Sequence, residues 1–276
     1  MSERRAPAAQ IHSTALIEAG AELGPGVRIG PYCHVGPKVV LGEAVELVSH
    51  VVIAGRTRIG PRTRLFPFAS IGQPPQDLKY QGEESHLIIG ADNTIREYVT
   101  MQPGTRGGGM ETRVGDLCLF MASSHVAHDC RLGDHIIMAN NVALGGHIVI
   151  GDYAFLGGQS AVHQFVRIGA HAMIGGLTGV ERDVIPYGMV VGDRARLTGL
   201  NIVGLQRRGF SRDDIQALRT AYQMLFGEAA APGTLAERAA AMAARFPGVA
   251  PVREVAAFIE ADSSRGLVQP KGANGD

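Results

Sequence analysis

The chain has 276 residues, of which 45% are hydrophobic, and its 26 basic side chains balance its 26 acidic ones. This balance excludes the strong positive charge of many nucleic-acid-binding proteins, and no apolar stretch reaches transmembrane length. Residues 1–7 are not followed by the apolar run that a secretory signal peptide needs. We therefore expect a cytoplasmic protein, in agreement with three cysteines that show no paired spacing.

A six-residue repeat runs through most of the chain. Counting from Ile11 in steps of six, every position to Ile71 is aliphatic; the spacing returns at Ile89 and, after a shift of phase at Val114, continues to Val180. Glycine follows many of these positions, which accounts for much of the total of 37 glycines. Because a helix repeats every 3.6 residues and a strand every two, this pattern indicates short strands joined by tight turns, as in a hexapeptide parallel β-helix.

Two rows of side chains are predicted to point into such a helix: the apolar sixth position and the mostly small residue two places before it. Three hexads form one triangular coil in this architecture, so residues 18 apart stack at roughly 4.8 Å. The three cysteines, Cys33, Cys118 and Cys130, all occupy the small inward row. We interpret them as buried packing residues and assign them no catalytic role.

The repeat is interrupted twice and then ends. It returns in phase at Ile89, eighteen residues after Ile71, which we interpret as one coil's length of inserted chain, whereas Val114 lies thirteen after Met101 and marks a loop insertion. The predicted divisions are a tail (1–10), the β-helix (11–186) with loop excursions at 73–88 and 102–113, a connection (187–200), an α-helical domain (201–262) and a flexible tail (263–276).

Helical signals begin in the last quarter of the chain. Ser211 followed by Asp214 predicts one helix start, and Thr234 with Glu237 predicts a capping box at a second. A third helix is expected around 252–261. A small helical bundle could cap the exposed end of a parallel solenoid.

Several polar residues lie outside the inward rows and are brought together by the stacking. His128, Gly146 and Gln164 are spaced by 18 and are predicted to form one column. His147 and His163 each lie one residue from a member of that column, so the cluster spans on the order of 10 Å. This is the size of a ligand site.

The residue types of this column favour general base catalysis of a direct attack over a covalent enzyme intermediate. His128 can act as a general base near neutral pH, and Asp129 could orient its imidazole. The column holds no serine or cysteine nucleophile, which favours direct attack by a substrate hydroxyl or amine. Gly146 offers an unhindered backbone N–H for a developing oxyanion.

Motifs along the whole chain resemble one family of enzymes. Besides the repeat, they are Gln76-Asp-Leu-Lys-Tyr80, Ser124-His-Val-Ala-His-Asp-Cys130, Gly145-Gly-His147, Ala161-Val-His-Gln-Phe165, Gly175-Gly176 and Asn201-Ile-Val-Gly-Leu-Gln-Arg-Arg-Gly-Phe-Ser211. They are similar to acyl-[acyl-carrier-protein]–UDP-N-acetylglucosamine O-acyltransferases, which catalyse the first step of lipid A synthesis. The similarity runs from about Ile11 to Leu267 and implies an all-β solenoid, a left-handed parallel β-helix, plus a small C-terminal α-helical bundle.

The resemblance implies a reaction and its catalytic residues. An (R)-3-hydroxyacyl chain would pass from acyl carrier protein to the 3-position of the glucosamine ring of UDP-N-acetylglucosamine. His128 would take the proton from the sugar hydroxyl, Asp129 would support it, and the Gly146 N–H would hold the oxyanion. No metal or cofactor is implied, because 4′-phosphopantetheine enters only as part of the carrier protein.

The resemblance also implies substrate-binding residues and a homotrimer. The residues that would position sugar, diphosphate or pantetheine are His125, His147, His163 and Gln164. Those that would reach across to a neighbouring subunit's site are Gln76, Asp77 and Lys79. Those that would contact nucleotide or carrier are Asn201, Arg207 and Arg208. Those that would line the acyl groove are Gly158, Met173 and Gly176.

Two positions depart from the family pattern. Val203 stands where some members have an acidic residue, and Arg194 stands where we expect a histidine that measures the acyl chain. Chain length is therefore not implied. Some relatives act on a 3-amino sugar nucleotide and make an amide, and the residues leave that alternative open.

Other functions are also considered. A zinc hydratase of the carbonic anhydrase type could use His125, His128 and His147 as ligands, but paired arginines in a helical cap have no role in that chemistry. A solenoid that only binds partners would leave the histidines merely exposed. An N-acyltransferase acting later in lipid A synthesis is disfavoured, because such relatives carry a domain before their hexads and the repeat here begins at Ile11.

Overall fold

The computed structural model describes residues 8–228 and 230–271, and most of them form a parallel β-helix with three sheets. Sheet A consists of β1 (Gln10–Ile11), β4 (Arg28–Ile29), β7 (Glu46–Leu47), β10 (Arg64–Leu65), β13 (Thr94–Ile95), β16 (Leu119–Phe120), β19 (Ile137–Met138), β22 (Phe155–Leu156), β25 (Met173–Ile174), β27 (Gly188–Val191) and β28 (Arg196–Leu200). Sheet B consists of β2 (Leu16–Ile17), β5 (His34–Val35), β8 (Val52–Ile53), β11 (Ser70–Ile71), β14 (Thr100–Met101), β17 (His125–Val126), β20 (Ala143–Leu144), β23 (Ala161–Val162) and β26 (Gly179–Val180). Sheet C consists of β3 (Glu22–Leu23), β6 (Val40–Leu41), β9 (Arg56–Ile59), β12 (His86–Ile89), β15 (Glu111–Val114), β18 (Arg131–Leu132), β21 (Val149–Ile150) and β24 (Arg167–Ile168).

The chain visits sheets A, B and C in turn, so each coil has three corners. We call these the A/B, B/C and C/A corners, after the sheets that they join. In uninterrupted coils, ladder partners are separated by three hexads, as with Gln10 and Arg28. In most coils, the residue three places after an inward aliphatic turns the corner with a positive φ, for example Tyr153 at 60° and His171 at 58°. Side chains at these positions therefore stack in columns along each corner.

Two inserted loops interrupt this register, and both are shorter than we expected. Across the first, Ile59 pairs with Ile89, five hexads further along the chain instead of three. The insertion is therefore two hexads long rather than a full coil. Across the second loop, Ile89 pairs with Val114. The inserted chain there is one residue longer than a hexad. Because β12 and β15 begin before their aliphatic residues, the excursions end at residues 85 and 110 rather than 88 and 113.

The core consists of the two inward rows. Their apolar members between Val27 and Val190 are buried, and all three cysteines lie among them as free, buried thiols. Burial raises the pKa of Cys118 and of Cys130 to about 12. Thiols in this state are poor nucleophiles, which agrees with a packing role.

The segment that we predicted as a connection, 187–200, forms a β-hairpin instead. β27 pairs parallel with β25, and β28 pairs antiparallel with β27. The hairpin extends sheet A beyond the last full coil and leads into the helices, so the solenoid continues further than residue 186.

Four helices follow: α1 (Ile202–Arg207), α2 (Arg212–Phe226), α3 (Leu235–Arg245) and α4 (Ala250–Glu260). Ser211 caps α2 by accepting from the Asp214 N–H, and Thr234 forms a reciprocal capping box with Glu237. Sequence reasoning missed α1, since six residues with one buried side chain show no helical period.

The predicted flexible tail is also wrong for the residues that the structure describes. The Asp183 N–H donates to the Gly266 carbonyl, Val268 donates back to Asp183, and Val268 is only 4% exposed. This segment therefore packs against the end of the solenoid. Residues 1–7 of the predicted N-terminal tail and residues 272–276 lie outside the described part.

Among residues 8–228 and 230–271, no helix combines the length and the apolar character needed to span a bilayer.

Candidate active site

The predicted column of His128, Gly146 and Gln164 lies along the B/C corner. The His147 N–H donates to the His128 carbonyl at 3.0 Å, and the Phe165 N–H donates to the Gly146 carbonyl at 3.0 Å. These bonds fix consecutive coils in register. A Cβ atom added to Gly146 would lie 2.5 Å from Cε1 and 2.7 Å from Nε2 of His128, so the imidazole lies directly over this glycine.

His128 and Asp129 form a hydrogen-bonded pair at this corner. Nδ1 of His128 lies 2.8 Å from Oδ2 of Asp129. The Asp129 side chain is fully buried, whereas 13% of the His128 side chain is exposed. A carboxylate is an acceptor, so the proton of the neutral imidazole is on Nδ1 and Nε2 keeps its lone pair. The pair therefore presents a base to the solvent side and an anion to the interior.

The Asp129 carboxylate is held by the second inserted loop. Thr105 donates to it from its backbone N–H at 2.9 Å and 3.1 Å and from its hydroxyl at 2.6 Å. The Asp129 N–H in turn donates to the Thr112 hydroxyl at 2.7 Å. Gly108 lies against the carboxyl group, since an added Cβ would be 2.0 Å from its Cγ.

His147 lies beside the pair on the next coil. Its ring meets that of His128 edge-on, with centroids 5.0 Å apart, and stacks on Phe165 at 4.4 Å. Burial lowers the pKa of His147, and the Asp129 carboxylate opposes this effect. His147 is therefore a neutral hydrogen-bonding group near pH 7.

The other two predicted histidines are placed differently. His125 lies on β17, where Nδ1 is 2.7 Å from the Thr100 hydroxyl, and burial, with a smaller contribution from His128, lowers its pKa. His163 and Gln164 are exposed at the B/C corner. The Gln164 carbonyl accepts from Nε of Arg265 at 2.8 Å, so the C-terminal segment also reaches this corner.

A cavity of about 440 Å³ opens beside His147. The residues that line it are Asp77, Lys79, Gln81, Glu83, Thr105, Arg106, Gly107, His147 and Phe165. Asp77 and Lys79 thus lie beside His147 of their own chain, and their reach to a neighbouring subunit's site stays a prediction. Gln76, placed with them by the motif, is exposed and does not line the cavity.

The residues predicted for the acyl groove lie elsewhere, on sheet A and its A/B corner. Gly158 and Gly176 stack at the corner, where a Cβ on Gly176 would meet the Gly158 carbonyl oxygen at 3.3 Å. Met173 lies on the outer face of sheet A, paired with Phe155 and Met189. Leu119 and Ile137 extend the same outward row, giving a continuous apolar strip.

The predicted nucleotide or carrier residues lie at the third corner. Arg208 donates to the Tyr153 carbonyl at 2.9 Å, and its guanidinium covers the Tyr153 ring at 5.5 Å. Asn201 uses its side chain internally, because it caps α1 through Gly204 and donates to the His171 carbonyl. Arg207 is exposed in the last turn of α1.

One group of side chains has the spacing of a metal site. His128, Asp129 and His147 offer three ligand atoms within 4.8 Å of one another. The set differs from the one considered for a zinc hydratase, since His125 is turned towards Thr100. In the observed arrangement Nδ1 of His128 already bonds to Asp129, which suits proton transfer.

Sequence reasoning missed Thr105, Gly108, Glu83, Arg106 and Phe165. Phe165 could have been found, because it continues the three-hexad spacing from Asp129 through His147. The other four lie on inserted loops, where the repeat gives no information about contacts.

Comparison with known proteins identifies the family. Residues 183–268 match the model described as UDP-N-acetylglucosamine O-acyltransferase, domain 2, and residues 8–43 match bacterial transferase hexapeptide repeats. The acyl-[acyl-carrier-protein]–UDP-N-acetylglucosamine O-acyltransferase of Rhizobium johnstonii is 51% identical over 265 residues, or 96% of each chain. The chain belongs to this family.

Further members of the O-acyltransferase family agree. The enzyme of the same name from Methylobacterium radiotolerans is 63% identical over 206 residues, 75% of each chain. A solved UDP-N-acetylglucosamine acyltransferase structure has 44% identity and a TM-score of 0.90, covering 95% of this chain and 99% of its own. The predicted fold class, a left-handed parallel β-helix with a C-terminal helical bundle, is confirmed.

Proposed function

We propose that this chain transfers an (R)-3-hydroxyacyl group from acyl carrier protein to the 3-hydroxyl of UDP-N-acetylglucosamine, the first step of lipid A biosynthesis. The single observation that carries the mechanism is the His128–Asp129 pair, which lies against Gly146 in a member of the O-acyltransferase family. We also propose a cytoplasmic location, which three free, buried cysteines support.

The proton movements follow from the pair's geometry. Nε2 of His128 takes the proton of the sugar hydroxyl while its oxygen attacks the thioester carbon. The imidazolium that forms is stabilised by the Asp129 carboxylate on Nδ1. The C–S bond then breaks, and the imidazolium returns its proton to the departing pantetheine sulfur, so the enzyme is regenerated without a cofactor.

The oxyanion of the tetrahedral intermediate needs a donor close to His128. The Gly146 backbone lies against the imidazole, and its N–H has no hydrogen-bond partner among the residues that the structure describes. An N–H directed at developing charge in a partly dry site is worth several kcal/mol, on the order of 3. We assign this role to Gly146.

The cavity supplies groups for the sugar nucleotide. Lys79 and Arg106 are cationic and suit a diphosphate, whereas the Asp77 carboxylate can accept hydrogen bonds from sugar hydroxyls and neutral His147 can accept or donate them. We place the sugar between the first inserted loop and the face of His147.

We further infer a homotrimer, because the residues assigned to base, acyl groove and nucleotide or carrier lie on different faces of one chain. His128 lies at the B/C corner, the apolar strip through Met173 lies on sheet A, and Arg208 lies at the C/A corner. These three surfaces face in different directions on the three-sided β-helix of one chain. If sheet A of one copy faces the B/C corner of the next, cyclic symmetry brings all three sets together at each interface.

The test is product formation by purified protein. We expect UDP-N-acetylglucosamine and a ladder of 3-hydroxyacyl carriers to give a product heavier by one acyl group. His128→Ala should lower kcat by about 10²-fold to 10⁴-fold without a change in thermal unfolding. Unchanged turnover of the variant would end the assignment of the base.

The same assay with a 3-amino sugar nucleotide as acceptor, together with metal analysis of the purified protein, separates the alternatives. Preference for a 3-amino sugar nucleotide would identify an amide-forming enzyme. Stoichiometric zinc, with activity abolished by chelation, would contradict the proposed mechanism.

A further inference from the structure

The buried Asp129 carboxylate has more partners than its histidine. Both oxygens face the Thr105 backbone N–H, and Oδ2 also accepts from the Thr105 hydroxyl at 2.6 Å. The side chain of Asp129 is completely shielded from solvent. A buried carboxylate with one partner would be costly and free to rotate, so these donors fix both its charge and its orientation.

We propose that Thr105 is a positioning residue for catalysis, holding the Asp129 carboxylate so that Oδ2 faces Nδ1 of His128. This inference rests on the proposed function, in which His128 is the base. The hydroxyl of Thr105 and Nδ1 of His128 both bond to Oδ2, so the loop and the base share one acceptor atom. Movement of the loop would therefore move the base.

The loop that carries Thr105 is itself braced by the first inserted loop. One carboxylate oxygen of Glu83 accepts from the Arg106 N–H at 3.0 Å, and the other accepts from the Gln81 N–H at 2.8 Å. These backbone donors, the Arg106 N–H above all, lower the pKa of Glu83. The two insertions thus form one support, in which Glu83 holds the residue next to Thr105.

A glycine in the same loop permits this close approach. The nearest atoms to a Cβ built on Gly108 would be Cγ, Oδ2 and Cβ of Asp129, at 2.0, 2.3 and 2.4 Å. Any larger residue would push the loop off the carboxylate. This contact therefore explains why Gly108 is needed, although it lies in an inserted loop outside the six-residue repeat.

The first experiment compares Thr105→Val with Thr105→Ser. Valine keeps the volume and removes the hydroxyl donor, so kcat should fall by about 10-fold to 100-fold, as is typical when the support of an active-site group is removed. KM for UDP-N-acetylglucosamine should change less than about twofold, because Thr105 acts through Asp129. Serine restores the donor and should recover most of kcat.

The matched control is Thr57→Val. Thr57 is buried and donates its hydroxyl to the Ala54 carbonyl at 2.6 Å, away from the site. Its replacement should lower thermal stability without changing kcat. If Thr105→Val behaves like this control, or if serine fails to rescue kcat, Thr105 has only a structural role and the inference is wrong.

A second pair of variants tests whether Glu83 supports the loop that carries Thr105. Glu83→Gln should lower kcat, whereas Glu84→Gln removes a surface ion pair with Lys38 and Arg56 and should leave kcat unchanged. Equal turnover of the two variants would overturn the role of Glu83. Failure of the proposed function is distinguishable, because the unaltered protein would then form no acylated product at all.

Discussion

The Nδ1 atom of His128 lies 2.8 Å from Oδ2 of Asp129, and the aspartate is the fully buried member of the pair. This arrangement fixes the tautomer of the imidazole as well as its direction. It predicts that the identity of residue 129 controls the chemical step more than substrate binding.

Asp129→Asn should therefore lower kcat by about 10²-fold to 10⁴-fold with little change in KM. An amide can present its NH₂ to the ring and favour the tautomer with the proton on Nε2, which cannot accept from the sugar. Asp134→Asn is the control, because Asp134 accepts from the Asp116 N–H on an exposed corner. Equal kcat values for the two variants would contradict the proposed dyad.

Gly146→Ala should disable the site without unfolding the protein. The new Cβ would lie 2.5–2.7 Å from Cε1 and Nε2 of His128, so the imidazole must shift from the N–H that would hold the oxyanion. We expect kcat to fall by about 10²-fold or more. Steady-state kinetics with thermal unfolding checks this.

Gly248→Ala provides the reference for that substitution. No atom lies within 4 Å of a Cβ placed there, so both stability and turnover should be retained. Full activity of Gly146→Ala would show that the imidazole does not depend on its present position.

Mixed trimers test whether neighbouring copies share one site. His128→Ala and Arg208→Ala alter different corners, so each variant alone should be nearly inactive. Random mixing of equal amounts during refolding should restore about a quarter of the normal activity, because one site in four pairs an intact His128 with an intact Arg208 from the next protomer. Activity that stays at the sum of the parents would place both residues of a site in one chain.

The hexad spacing was sufficient to predict the sheets, the inward rows and the column at the B/C corner, because each coil repeats the same geometry. Gly146 could be placed under His128 by counting three hexads along the chain. The support from Thr105 and Glu83 could not be predicted, since inserted loops have no repeat and their contacts depend on backbone turns. The hairpin at 188–200 was missed for a similar reason: its second strand is antiparallel and leaves the period of six.

Another histidine with unusual surroundings, His171, lies at the junction between the β-helix and the C-terminal helices. The ring of His171 stacks between Tyr153 at 4.9 Å and Tyr187 at 5.4 Å. Burial, together with the nearby Arg208 guanidinium, lowers the pKa of His171 to about 4. Its Nδ1 is buried without a hydrogen-bond partner among the residues that the structure describes, so a proton on this atom would have no acceptor.

This histidine should make stability depend on pH in a defined window. The folded-state pKa lies below the ordinary value near 6.5, so between about pH 6.5 and about pH 4 the unfolded chain binds a proton that the folded chain does not. The stabilisation is complete above the upper limit and is lost as pH falls to the lower one. Since the ring is only half-buried, we expect a loss of about 1–2 kcal/mol.

His171→Phe should remove this dependence while keeping the stacked column between Tyr153 and Tyr187. The free energy of unfolding, measured in urea at about pH 7 and about pH 5, should fall less for the variant than for the unaltered protein. His50→Phe is the control, because His50 stacks between Tyr32 and Phe68 on an exposed corner. If His171→Phe loses as much stability on acidification as the unaltered protein, the acid sensitivity arises elsewhere and the junction is not its source.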